Sequence, residues 1–216
     1  MIHLLAVSKS YSGVGNRPNV VFRPTSVTLP ADRRVAILGE RREGKSVLLQ
    51  LLAGAEPPDH GRVIAPVRLS PVVNARSVLH PQLSVFENVR YLARLFGMNT
   101  DRLAAAVDAI CKIGPQMFQP VKLQDAMQRR TIETAVVFAL PFDCYLIDSV
   151  GGKAPEMLDL SLDIASRRQA GVIFAANQPK LARQYADFAV VISDHMLHPF
   201  GDVQKAIEFH ERRTRH

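Results

Sequence analysis

No apolar run in this 216-residue chain approaches the roughly 20 residues that a helix needs to cross a bilayer. Cysteine is scarce. Cys111 and Cys144 stand far apart with no metal spacing, so we expect buried thiols in a reducing compartment, which points to the cytoplasm. The start, MIHLLAVSKSYSG, lacks a basic segment followed by a long apolar core, so no signal peptide is expected. Internal repeats and low-complexity linkers are missing as well. Acidic charge is in deficit: 27 Lys and Arg against 20 Asp and Glu leave a net charge of +7. Such a balance suits nucleic acid, an anionic membrane face or plain solubility. The basic residues come in scattered pairs, with no interleaved aromatics to stack on bases, so solvated surface is the expectation and no nucleic-acid partner is called.

What is present is an ordinary globular composition, 47% hydrophobic and 22% charged, sufficient for one domain with a small subdomain. The first 30 or so residues alternate in short apolar runs that suggest antiparallel strands. RVAIL then leads into G-E-R-R-E-G-K-S at 39–46, followed by a Leu-rich helix expected from Ser46 to Ala53. Strand, G-x-x-x-x-G-K-S and helix in that order predict a phosphate-binding loop. Its backbone N–H groups and the positive helix end would wrap phosphates, Lys45 would reach the outer phosphates, and Ser46 would ligate magnesium. A second magnesium contact requires an acid at the end of a buried strand, and Asp148 closes Cys144-Tyr145-Leu146-Ile147.

Ser84 and Glu87 form a capping box that opens the helix SVFENVRYLARLF. Thr100 and Asp101 open a second helix closed by Gly114, and a third runs from about 125 to 139. The apolar stripe of Phe86, Val89, Leu92, Leu95 and Phe96 reads as the core of this helical block. Strands and helices alternate afterwards: CYLID, a helix near 155–169, GVIFAA, a short helix and FAVVIS. The expected fold is α/β: a mainly parallel sheet with an antiparallel N-terminal β region and an inserted helical subdomain. The whole of 1–216 is expected to be one nucleotide-binding domain, with a core of 1–83 and 140–216 and a helical subdomain of 84–139. His195 and His198 make an H-x-x-H without an acidic or cysteine partner at ligand spacing, so no metal is assigned to them. The basic tail from Glu211 is expected to fray, favoured near an anionic membrane face.

Taken in order, these motifs resemble the ATP-binding subunit of an ABC transporter, in the branch that exports capsular polysaccharide. "SKSY" precedes the first loop, "PPDHGRV" is similar to the family's P-D-x-G turn, and "ENVRYLARLFG" resembles the capsule exporters most specifically. "FDCYLIDS" and "YADFAVVISDHMLHPFG" sit where the second nucleotide motif and the closing strands belong. The resemblance implies ATP and Mg2+ as ligands, held by Tyr11 (stacked on adenine), Gly39, Arg41, Arg42, Gly44, Lys45, Ser46 and Val47, with Ser46 and Asp148 on the metal. It further implies a membrane permease partner, a dimer with itself or a related ATP-binding subunit, and a peripheral place on the cytoplasmic side of the inner membrane.

The chain departs from that family at five further positions. The magnesium-sensing glutamine falls at His80, with Gln82 close by; the Ser-Gly-Gly signature aligns with Gln124-Asp125-Ala126; the water-polarising glutamate is Ser149; a turn aspartate is replaced within Ala154-Pro155; and the γ-phosphate histidine is Asn177. Ser149 cannot take a proton from water as a carboxylate does, and Asn177 carries no positive charge. The loop's middle glycine is Arg42, and Arg41 and Arg42 either offset Glu43 or contact phosphate. The expectation is an ATP-binding subunit with hydrolysis impaired or absent. The alternatives are a non-enzymatic regulator or scaffold of the same fold and, on basic charge alone, a nucleic-acid-binding relative.

Overall fold

β1 (Ile2–Ser12) and β2 (Pro18–Leu29) form a long antiparallel pair, and β4 (His60–Ile64) joins the other side of β1, giving the order β2-β1-β4. This computed structural model describes residues 1–13, 18–40, 43–75, 77–150 and 155–214, with residues 149, 150, 155–157 and 214 described in backbone only. Pro18 and Pro24 are tolerated because β2 has a single partner in its sheet, so a missing N–H costs no second ladder. The register slips around Ala6, whose φ is 49°, and Gly61 lies against that bulge. At φ 77° a Cβ on Gly61 would overlap the carbonyl oxygens of Leu5 and Ala6, so this turn requires glycine. Asp59 anchors the same turn by accepting from the Ser10 N–H (2.7 Å) and hydroxyl (2.8 Å).

The second sheet has six strands in the order β5-β6-β7-β3-β8-β9, formed by β3 (Arg34–Leu38), β5 (Leu69–Val73), β6 (Cys144–Val150), β7 (Gly171–Ala176), β8 (Phe188–Ser193) and β9 (Met196–Phe200). β3 pairs parallel with β7 and β8, β6 pairs parallel with β7, and β9 turns back antiparallel on β8. β7 is buried along its whole length, as expected of a central parallel strand covered on both faces. α1 (Lys45–Leu52) follows β3 and buries Leu48, Leu49, Leu51 and Leu52 in the core with Ile37, Leu146, Ile173 and Val190. α5 (Pro155–Arg167) and α6 (Pro179–Tyr185) complete the alternation of strand and helix.

The chain divides into two compact units, Met1–Val72 with Asp143–His216, and Val73–Phe142. The second unit is helical: α2 (Val85–Leu95), α3 (Thr100–Cys111) and α4 (Ala126–Ala139), with two short 3-10 turns between α3 and α4. Its core joins Val85, Val89, Leu103, Val107, Ile132 and Val136. Of the apolar stripe on α2, Phe86, Leu92 and Phe96 pack on this core, whereas Leu95 is exposed. The capping box forms in full: Ser84 Oγ accepts from Glu87 N (3.1 Å) and the Glu87 carboxylate accepts from Ser84 N (2.8 Å). α3 opens at Thr100 and Asp101 as expected, with Asn99 as its cap, and Lys112 rather than Gly114 takes the left-handed position that ends it.

The C-terminus differs from expectation. α7 runs Val203–Thr214, so the basic tail from Glu211 is helical through 214 rather than frayed. Its inward face at 203, 206, 207 and 210 follows helical spacing, with Ala206 and Ile207 fully buried. Arg213 pairs with Asp194 and lies over the Phe209 ring, 5.4 Å from its centroid. Cys144 is buried and Cys111 half-buried, and burial pushes both thiols up, Cys144 to about 12.

Candidate functional site

β3, buried from Val35 to Leu38, ends where backbone leaves the sheet, and six residues separate it from α1, which re-enters the core. Two glycines make that passage possible. At Gly39 a Cβ would stand 2.9 Å from Glu43 Oε2 and 3.3 Å from Ile192 Cβ. Gly44 holds φ 96° as the N-cap of α1, and a Cβ there would overlap Val21 and crowd Phe22. Gly44 O accepts the first helical bond, from Leu48 N at 2.8 Å, leaving the early α1 N–H groups without partners inside the helix.

Lys45 opens α1 and turns its ammonium back over the loop, donating to Gly39 O (2.5 Å) and Glu40 O (2.8 Å). Burial pushes this ammonium below lysine's ordinary value, opposed by the carboxylates of Glu43, Asp148 and Glu40. Asp148 is 8% exposed at the carboxyl end of β6, where Ile147 pairs with Phe174 of β7. Its influence on Lys45 brings a carboxylate from β6 and a cation from α1 into one electrostatic neighbourhood. Ser46 and Val47 occupy the first turn of α1, half-buried, with Val47 packed on the core. Asn177 follows the last residue of β7 and is exposed. Lys45, Asp148 and Asn177 thus lie at the carboxyl ends of parallel strands β3, β6 and β7, the end at which open α/β sheets receive ligands. A glycine-lined loop, a lysine over it, a hydroxyl on the first helical turn and a buried carboxylate whose charge acts on the lysine fit a magnesium-bound phosphate chain in donor type. Arg41, Arg42 and the Ala154 turn lie outside the described residues, as do the side chains of Ser149 and Pro155.

Tyr11 sits in β1, 39% exposed, with its hydroxyl donating to the Glu56 carboxylate (2.7 Å). Lys9 reaches the same carboxylate (3.0 Å) and Asp59 (3.3 Å), and its ammonium lies 5.3 Å from the Tyr11 ring centroid. Partial burial and the Glu56 bond push the Tyr11 phenol up to about 12. Lys9 and Glu56 were not singled out in the sequence; the one signal is that Lys9 and Tyr11, two apart in a strand, share a face.

The helical unit carries the remaining predicted positions. His80 is exposed, its N–H donates to Asn88 Oδ1 (2.7 Å), and its Nδ1 accepts from Gln82 N (3.3 Å). Gln82 accepts from Lys122 Nζ (2.7 Å). Gln124 is 5% exposed, with Nε2 facing Gln116 O at 3.5 Å. Asp125 is the N-cap of α4, its carboxylate accepting from Gln128 N (2.8 Å). The Gln124-Asp125-Ala126 segment therefore builds the start of a helix. His195, at φ 64° in the β8–β9 turn, and His198 of β9 join no group of three metal-ligating residues among those described. His210, on the inward face of α7, was not singled out in the sequence. It is half-buried, burial pushes its imidazole down, and the charges of Glu43, Lys45 and Glu40 act on it. The spacing 203, 206, 207, 210 was the available signal.

Residues 22–137, just over half of the chain, match the family model described as ABC transporter. The chain is 26% identical over 214 residues to the ATP-binding protein BexA of Haemophilus influenzae, covering 97% of this chain and 98% of that one. It is 26% identical over 215 residues to the capsule polysaccharide export ATP-binding protein CtrD of Neisseria meningitidis serogroup B, with coverage of 97% and 98%. In structure it is similar to the dimeric post-hydrolysis state of the ATP-binding cassette MJ0796 bound to ADP and Pi. The TM-score is 0.75 at 16% identity, covering 92% of this chain and 97% of that one. Among the described residues no helix is long and apolar enough to cross a membrane.

Proposed function

The chain belongs to the ABC transporter family, and on that premise we propose that it is the ATP-binding subunit of an exporter of capsular or other cell-surface polysaccharide. The observation that carries this reading is the end-to-end similarity to a capsule polysaccharide export ATP-binding protein, which spans 97% of this chain and 98% of the relative. In this reading the chain works on the cytoplasmic face of the inner membrane, bound to a membrane permease, and pairs with itself or a related ATP-binding subunit.

Gly39, Gly44, Lys45 and Ser46 would hold the phosphates beside Val47, Tyr11 would offer its ring to the adenine, and Ser46 with Asp148 would hold magnesium. Bound Mg-ATP supplies a phosphoanhydride bond and an anion around which two subunits close. Lys45 contributes a fixed cation, and the α1 N-terminus contributes N–H donors without reorganisation. Hydrolysis is impaired or absent. Ser149 offers no carboxylate to orient water, Asn177 no cation, and Gln124-Asp125-Ala126 a buried amide and a helix cap in place of a flexible Ser-Gly-Gly. That last substitution favours, as the second reading, a regulatory pseudo-ATPase that keeps nucleotide as a structural ligand.

Thermal unfolding with and without Mg-ATP tests the binding claim. A ligand of the folded state at about 100 times its Kd stabilises by about 2.7 kcal/mol, so Tm rises. Lys45→Ala is expected to abolish the rise. An unchanged Tm at millimolar Mg-ATP would remove nucleotide from the reading, and an equal rise in Lys45→Ala would move its site elsewhere.

A further inference from the structure

Glu43 lies inside the loop that the proposed function assigns to phosphate, and it is itself an anion. Its carboxylate accepts the backbone N–H of Glu40, a loop donor of the kind that wraps phosphate oxygens. Its Oε2 stands 2.9 Å from where a Cβ on Gly39 would be, so the carboxylate is folded against the loop's first glycine instead of reaching into solvent. The main chain closes the same turn, with Glu43 N donating to Glu40 O at 3.4 Å. Lys45 donates to the carbonyls of Gly39 and Glu40, which flank that N–H, and feels the Glu43 charge.

We propose that Glu43 is an internal anion of the phosphate loop, holding a backbone donor that a phosphate oxygen must otherwise take and thereby setting the affinity for nucleotide. The inference rests on the reading of 39–46 as a phosphate loop. A carboxylate and a phosphate oxygen compete for that one N–H, because their like charges repel at the separation that sharing it would impose. Mg-ATP therefore enters only as the Glu43 side chain swings out, and the wild-type chain binds it more weakly than the loop's geometry allows. Glu43 is an affinity-determining residue here rather than a catalytic one.

Calorimetric titration of the full chain with Mg-ATP tests this in wild type, Glu43→Gln and Glu43→Ala, each with and without Lys45→Ala. Glutamine removes the charge and keeps the shape; alanine removes the acceptor as well. Both are expected to tighten binding at least about tenfold, the scale of one charge-assisted hydrogen bond, and Lys45→Ala is expected to erase the gain. Binding by the variants where wild type shows none supports the proposal too. Should Glu43→Ala melt without nucleotide, Glu43→Gln decides alone. If wild type binds and neither variant binds tighter, the internal anion is overturned while the phosphate loop stands. If no protein in the set binds Mg-ATP, the nucleotide reading fails and this inference goes with it.

Discussion

Asp125 shows how one residue reads differently by alignment and by geometry. Aligned with the family it stands in a signature that should present N–H and hydroxyl donors to a phosphate, and its charge looks misplaced. In the structure it caps α4, accepting from Gln128 N at 2.8 Å beside the positive end of the helix. Asp125→Ala is expected to lower stability by about 1 kcal/mol, and Asp125→Ser or Asp125→Asn to retain most of it. Urea unfolding followed by circular dichroism measures the difference; equal loss in Ala and Ser would deny the cap. The cap was not read in the sequence, although Asp125-Ala126-Met127-Gln128 carries a local signal for it. Other residue-scale facts have no local signal at all. Lys9, Glu56 and Asp59 meet across some 50 positions of sequence, through pairing of β1 with β4 that no local pattern encodes.

Among elements, the ones legible in advance are those whose signals are local: the capping box of α2, the strand-loop-helix around Gly39 and the buried runs of β6, β7 and β8. α7 was missed because its outward face is charged and its last turn reads as a basic tail, while its inward stripe is only four residues. The join between β3 and β8 was also invisible. Arg34, at the start of β3, donates to Asp187 through Nε (2.9 Å) and Nη2 (2.7 Å), and Asp187 N returns a bond to Arg34 O (2.8 Å). The Arg34 guanidinium holds the Asp187 carboxyl below its usual range. A folded-state pKa below the unfolded one stabilises at neutral pH, and that contribution is lost as pH falls through the depressed value. Because the pair is nearly half exposed, Asp187→Asn is expected to cost less than about 1 kcal/mol at pH 7. The gap between variant and wild type should close as the pH falls below about 4, near the ordinary aspartate value. A gap that stays constant with pH would assign the effect to packing instead of charge.

At the scale of the whole molecule, the proposed function has the chain keep a phosphate loop and give up the residues that resemblance to the family places around it. A site made from two chains needs donors from one and a base and a cation from the other, so a homodimer of this chain inherits every defect twice. Under the proposed function, pairing with an intact ATPase would leave one site with Ser149 and Asn177, and the other with Gln124-Asp125-Ala126. Ser149→Glu alone is therefore expected to leave turnover at background, since a positioned base contributes about 10² or more only where the other transition-state donors stand in place. Asn177→His alone should do no better. Restoration should require Ser149→Glu, Asn177→His and a Ser-Gly-Gly signature together, and glycine at Arg42 in the loop as a further step. The rebuilt signature would also put glycine at the Asp125 cap of α4, a change an N-cap tolerates at small cost. Steady-state phosphate release by the purified chain is the measurement. Release by wild type that disappears in Lys45→Ala would overturn the hydrolytically silent reading. Silence in every single variant, with turnover in the combined one, would mark the losses as a set.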